Sequence, residues 1–500
     1  MKQTPSDRKL RTAALLLALL LPTTSAIACS EKTDEKVSTT PASESESTAE
    51  TLDPNDRTHI KDDLPDNLDF DGRKFRVYCA VARKNVYFEG PEEQSGEIVD
   101  DAVLERNARV EERLKVDVES IPNDDSWDTI KNSISKIVAT ADDSYDLFMG
   151  QQAGITQLLT DNCFVNAFDL EYINFNQPWW NNMYMEALSL GKDYRFFLMG
   201  DYFIDALLYE RVLYFNKVLY NNYYGEPNAL YEEALDGNWN MDRMSELSLG
   251  VYSDLNNNGR TDMEDQLGYV THATGSSVDA FVYGTDIPFT YRDEDGFIEL
   301  DMQQERAVTL AEKLITIFYQ NGSLFNTDGK NTQIFINGSA LFLGNASFET
   351  TSKLRDMQQD YGYLPYPKLD EQQTEYRSVV HDTVMIGAVS NASQNLDMAG
   401  AVLEALNAET YRRVTPVWYE SALKVKYVRD NISAQMIDLI HDSMTTNFIF
   451  AYNYALGGIG LLYRGLVTNK STNYISTVKS MEKAASRKID KLVKVFQGEN

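Results

Sequence analysis

Hydrophobic positions alternate over residues 74–81, where Phe75, Val77, Cys79 and Val81 share one side of the chain, the period-two pattern of a strand. The period then changes. Over 98–114, Val99, Val103, Val110 and Leu114 recur at helical spacing with charged residues between them, which predicts an amphipathic helix. A short strand at 116–121, a helix over 127–140 and a strand at 145–149 come next, so the order is βαβαβ. Such units form parallel sheets with right-handed crossovers, and their ligands sit beyond the carboxyl ends of the strands. The loops 82–85 and 150–153 are therefore the first places to look for a site. Past Asp169 the chain turns aromatic; a second α/β region is predicted to begin near 209–216, with further strands at 334–344 and 383–389. The last hundred residues read as helices, and over 473–496 Ile475, Val478, Met481, Ala485, Ile489, Leu492 and Phe496 form a stripe that should face a core.

The start of the chain obeys other rules. Lys2, Arg8, Lys9 and Arg11 precede an apolar run of nine residues at 13–21, whereas a spanning helix needs about 20. With the small residues that end at Ala28, residues 1–28 read as an export signal. Ala26-Ile27-Ala28-Cys29 resembles the bacterial lipoprotein box, which implies acylation of Cys29 and a membrane anchor. Residues 29–71 are rich in Ser, Thr, Glu, Asp and Pro and read as a lipidated, disordered tether.

Composition narrows the partners. Of 500 residues, 43% are hydrophobic, an ordinary globular fraction, and 46 Lys plus Arg against 76 Asp plus Glu give a net charge of -30. That charge repels a phosphate backbone, excludes nucleic acid as a partner, and disfavours anionic solutes. Cys79 and Cys163 make no disulfide framework, and Cys79, in an apolar strand, reads as a buried thiol. His59, His272, His381 and His441 lack metal-ligand spacing, and no nucleophile elbow, P-loop or dinucleotide fingerprint occurs.

One local motif is specific. In the twelve residues 254–265, Asp254, Asn256, Asn258, Asp262 and Asp265 place side-chain oxygens at positions one, three, five, nine and twelve of an EF-hand-type loop. The Arg260 carbonyl serves position seven and Gly259 permits the turn at six. Ca2+ is the expected occupant, in a structural role. Asp265 replaces the usual Glu, and neither flank is a clear paired helix; the alternative is a solvated Asn/Asp turn.

Gly200-Asp201-Tyr202, Tyr214-Phe215-Asn216-Lys217, Gly237-Asn238-Trp239-Asn240-Met241-Asp242, Leu364-Pro365-Tyr366-Pro367 and Trp418-Tyr419-Glu420 succeed the βαβαβ opening in order. With the lipobox and tether, they resemble the extracellular solute-binding lipoproteins of bacterial carbohydrate ABC transporters, family 1, maltose-binding-protein-like. The resemblance implies an α/β fold, the two-lobed periplasmic-binding-protein fold of class II, with mostly parallel sheets and a helical C-terminal region. Lobe one would comprise 72–205 plus 334–392, and lobe two 206–333 plus 393–500. It further implies a monomer on the outer face of the cell membrane that closes on a carbohydrate and delivers it to ABC permease subunits, with no bond made or broken. A surface-tethered glycoside hydrolase, or a binder of a non-sugar solute such as a peptide, are the alternatives.

A sugar site needs aromatic faces and planar hydrogen-bonding groups. By position, Gln151 and Gln152 come after the third strand, Asp201 lies near the first lobe crossing, and Tyr283 lies in a Gly/Thr-flanked loop. Asn345 and Phe348 come after strand 340–344, where the resembling family places ligand contacts. His381 and Asp382 precede the strand leading back to the hinge, and Trp418 with Tyr419 interrupts the C-terminal helices. Trp179, Trp180 and Trp239 read as packing.

Overall fold

The computed structural model describes residues 57–272, 276–325, 329–347, 350–355, 357–424 and 431–497. The export signal, Cys29 and Phe348 lie outside the described residues. The chain divides after His59, and the first unit is described only at the short helix Arg57–His59. The second unit, from Ile60 onward, carries both major sheets and the site.

Its strands are β1 (Arg73–Cys79), β2 (Val116–Pro122), β3 (Leu147–Gln151), β4 (Arg211–Asn216), β5 (Leu267–Val270), β6 (Ser323–Leu324), β7 (Ala340–Ser347), β8 (Tyr361–Leu364) and β9 (Met385–Val389). The helices that matter for the site are α1 (Ile98–Leu114), α2 (Ile130–Ala139), α3 (Asp205–Tyr209), α4 (Ser276–Tyr283), α5 (Leu396–Glu409), α6 (Thr415–Lys424), α7 (Asn431–Asp442), α8 (Leu462–Thr468) and α9 (Tyr474–Phe496).

The first sheet has the order β9-β3-β1-β2, with β1 parallel to both β2 and β3 and β9 antiparallel to β3. Alternation along β1 was the correct guide: Phe75, Val77 and Cys79 are sealed. Cys79 and Cys163 are separate buried thiols, and burial pushes Cys79 up to about 12. The second sheet runs β8-β4-β7-β5-β6, with β5 parallel to β6 and β7 and β4 antiparallel to β7 and β8. Both sheets are mixed. The stripe on α9 packs as expected, with Val478, Ala485 and Ile489 buried and Ile475, Met481, Leu492 and Phe496 lying against the core.

Four boundaries differ from the expectation. The tether ends earlier than 71, because Leu64 and Phe70 are buried in the core and Asp62 holds both Arg113 (2.7 Å) and Arg412 (2.8 Å). Against the opposing pull of burial, these guanidiniums hold the Asp62 carboxyl down to about 2. Residues 331–336 are helical, and a turn at Gly338 (φ 78°) precedes β7; a short apolar run fits either period, so 334–344 was not separable by pattern. Both β7 and β8 pair in the second sheet, so the chain returns to the first only at β9, not at 334. Finally, α5 and α6 pack on α1 of the first lobe, and α6 also reaches the core of the second sheet through Trp418 and Tyr419.

Candidate functional site

Two crossing segments run side by side between the sheets. Glu210 bridges Val380 in antiparallel fashion, and the His381 amide donates to the Tyr209 carbonyl at 3.2 Å. The third-strand loop is tied to the same crossing: Gln152 N donates to Val384 O (2.9 Å) and Ala153 N to Asp382 O (3.1 Å). Close approach here depends on Gly154, where a Cβ would lie 2.5 Å from the Trp127 carbonyl. Trp127 is thereby brought to the rim.

Extended backbone alternates its side chains, so Glu210 and Arg211 leave the crossing on opposite faces. On the Arg211 side a charged cluster gathers. Arg464, from α8, clasps Asp279 of α4 with two nitrogens, Nε at 2.9 Å from Oδ1 and a terminal nitrogen on Oδ2. The same guanidinium lies 4.0 Å from Asp382, whose other oxygen is 2.9 Å from His381 Nδ1. Burial pushes the Asp279 carboxyl up to about 6 in spite of Arg464. Burial likewise holds His381 below its ordinary value, while Asp382, against burial, is kept low by His381 and the nearby guanidiniums. The charges of Arg211, Asp279, Asp382 and Arg464 all act on one another.

An aromatic wall adjoins this floor. The rings of Trp127 and Tyr454 stack on each other with centroids 4.6 Å apart at 21°, and the two residues remain 37% and 41% exposed in a protein whose other large aromatics are mostly buried. Tyr454 feels Asp382, Arg464 and Asp279. Guanidinium forks, carboxylates and an exposed aromatic face are the groups that hold a polyhydroxylated ring. Both carboxylates are engaged by cations or His381, and neither is presented as a free acid or base.

Among the residues expected from sequence, His381 and Asp382 belong to this cluster. Gln151 ends β3 beside it and is nearly buried. Gln152 points away, its Oε1 accepting from the Tyr184 hydroxyl at 2.5 Å inside the first lobe. Asn345 lies on β7 two residues before Ser347, the partner of Arg211. Tyr283 is the last residue of α4 rather than part of a loop, its hydroxyl donating to the Gly460 carbonyl and its ring stacked 4.7 Å from Phe450. Asp201 accepts from Thr415 Oγ1 at 2.7 Å and lines a cavity with Trp180 and His441, apart from the cluster. Trp418 and Tyr419 lie within α6 without interrupting it and are buried in a core cluster with Leu207, Tyr361 and Ile437.

Sequence reasoning missed Arg211, Asp279, Arg464, Trp127 and Tyr454. Only Trp127 carried a positional signal, lying just beyond the carboxyl end of β2. Trp179, Trp180 and Trp239 are buried, as expected of packing residues.

In the 254–265 loop, Asp254 accepts from the amides of Asn258 (3.2 Å) and Gly259 (2.8 Å). Asp265, sealed, accepts from Leu255 and Asp262, while the Asn256 and Asn258 amides donate to Asp262. Arg260 donates its own amide to Asn258 Oδ1 at 2.8 Å. Among the described residues, no three His, Cys, Asp or Glu side chains converge as a metal site.

No family model and no curated protein sequence matches the chain. Solved structures do match. The GacH receptor of Streptomyces glaucescens GLA.O, determined unliganded and with acarbose, superimposes with a TM-score of 0.50 at 11% identity, over 86% of this chain and 100% of that one. A cyclo/maltodextrin-binding protein complexed with maltotetraose gives 0.51 at 12% identity, over 85% of this chain and 97% of that one. The fold is therefore the two-lobed, maltose-binding-protein-like α/β fold that the family resemblance implies.

Proposed function

We propose that this chain is a solute-binding protein that captures a carbohydrate between its two lobes and hands it to an ABC permease. The single observation that carries the reading is the floor of Arg211, Asp279, Asp382 and Arg464 beside the stacked Trp127 and Tyr454, set where two chain crossings join the sheets. The similar structures support it, since those proteins were solved with acarbose and with maltotetraose. In this reading ligand bridges the lobes and stabilises a closed form that the permease recognises. The protein is a binder and not an enzyme. Acylated Cys29 holds it on the outer face of the membrane, and Ca2+ in the 254–265 loop stiffens the second lobe.

Calorimetry of the purified body against a panel of neutral and acidic oligosaccharides tests this. Saturable binding with the saccharide recovered intact is expected. Turnover of any glycan would replace the reading with a hydrolase, and binding of peptides alone would replace the ligand class.

A further inference from the structure

Arg211 differs from the other buried arginines. Arg106 donates to the Phe88 carbonyl at 2.6 Å, Arg195 to Asn182 at 3.0 Å, and Arg412 to Asp62 and Glu409 at 2.8 and 2.7 Å. Arg211 is 8% exposed, yet among the described residues its guanidinium makes no hydrogen bond and no ion pair. The two carboxylates whose charge it feels are already engaged, Asp279 by the fork of Arg464 and Asp382 by His381. Burial lowers its pKa, the mark of a cation taken out of water without full repayment. It sits opposite Ser347, where β7 ends, so it lies at the carboxyl edge of the second sheet and on the floor of the proposed sugar site.

We infer that Arg211 receives a carboxylate carried by the ligand, so that the captured carbohydrate is an acidic one, a uronic-acid-containing oligosaccharide. This rests on the carbohydrate reading and narrows it. A guanidinium offers five donors in a planar fork that matches a carboxylate in two parallel bonds, and it stays charged at every physiological pH. A neutral hydroxyl would accept one of those bonds and leave the charge unpaired. The net charge of -30 does not oppose this at contact. Surface charge is screened over about 8 Å in physiological salt, so it slows the approach of an anion without cancelling a bond made inside the cleft.

The test is calorimetric titration of the full body with uronic-acid oligosaccharides and with the same chains after reduction of each carboxylate to the primary alcohol. The acid form should bind at least about tenfold more tightly, and Arg211→Gln should bring the two forms to the same affinity. Arg211→Lys, which keeps the charge and loses the fork, should fall between them. A thermal melt of each variant confirms that it is folded, and the wild-type comparison stands if a variant is not. Equal or weaker binding of the acid form by the wild type overturns the inference and leaves the carbohydrate reading in place, as does binding of sulfated chains with rejection of uronates. Failure of every saccharide, neutral or acidic, removes the carbohydrate reading itself.

Discussion

Lys84 Nζ lies 2.8 Å from Asp205 Oδ2, with the two side chains 1% and 0% exposed, and this sealed pair joins the loop after β1 to the first crossing between the lobes. Lys84 also donates to the Thr383 carbonyl at 2.6 Å and stands 4.2 Å over the Tyr209 ring, while Asp205 accepts from Met385 N at 3.0 Å. Burial pushes the Asp205 carboxyl up in spite of Lys84, so the pair fixes geometry more than it adds stability. Removing one partner leaves the other charge buried. Lys84→Met should therefore cost about 3–5 kcal/mol in chemical denaturation, and the double variant Lys84→Met with Asp205→Leu should recover most of that loss. Additive losses would show that the pair is not coupled.

A second buried acid predicts a pH dependence. Glu404 accepts from Trp179 Nε1 at 3.2 Å and Trp180 Nε1 at 2.8 Å, yet burial pushes its carboxyl from 4.5 up to about 7. A folded-state value above the unfolded one means the folded protein holds the proton more tightly. The stability from this group is fully present below pH 4.5 and is lost as pH rises toward 7. Glu404→Gln should flatten the dependence of unfolding free energy on pH across that window, measured by urea titration at several pH values. An unchanged slope would assign it to other groups.

What could be read from sequence divides along a physical line. Local pattern fixed β1, α1, β2 and β3 to within a few residues: α1 and β2 bury one face, β1 becomes sealed toward its end, and β3 is a short run buried throughout. The second sheet was harder to assign because β7 and β8 both pair with β4, more than a hundred residues earlier in the chain, and their sequences do not say which sheet receives them. The same holds for the site. His381 and Asp382 were found from the strand they precede, whereas Arg211, Asp279 and Arg464 come from three separate elements and meet only through tertiary packing. Aromatic pairs mislead in sequence: Trp418 and Tyr419 are buried in a core cluster, while the exposed pair, Trp127 and Tyr454, is separated by hundreds of residues.

Trp127 and Tyr454 stand partly exposed beside the charged floor, and removing one should act on binding rather than folding. Tyr454→Ala should weaken saccharide affinity by about tenfold, equivalent to about 1.4 kcal/mol, while Tyr454→Phe keeps the face and most of the affinity. The melting temperature should move little, since both rings are more than a third exposed. Calorimetry with the same saccharide on both variants reads this directly. Equal loss in the two would place the effect on the hydroxyl and not on stacking.

Calcium should stabilise the 254–265 loop. Asp254 and Asp265 draw backbone amides inward, and Gly259 adopts φ 72° at the turn, which brings the chain into a tight loop before any cation is considered. Asn256 and Asn258 direct amide nitrogens at Asp262, so a bound Ca2+ requires those amides to turn and present their oxygens. That costs the Asn256 bonds to Asp262 and Glu264 and the Asn258 bond to Asp262, all at the surface where water replaces them readily, and gains ligands for a divalent cation. Extracellular calcium modules bind with dissociation constants of about 10⁻⁴ to 10⁻³ M, and a ligand at one hundred times its constant stabilises the folded state by about 2.7 kcal/mol. Millimolar Ca2+ should accordingly raise the unfolding temperature over that in EDTA, Mg2+ should not reproduce the shift, and Asp262→Ala should abolish it. Identical melts in Ca2+ and EDTA would make the loop a solvated Asn/Asp turn, held by the same amide bonds that now close it.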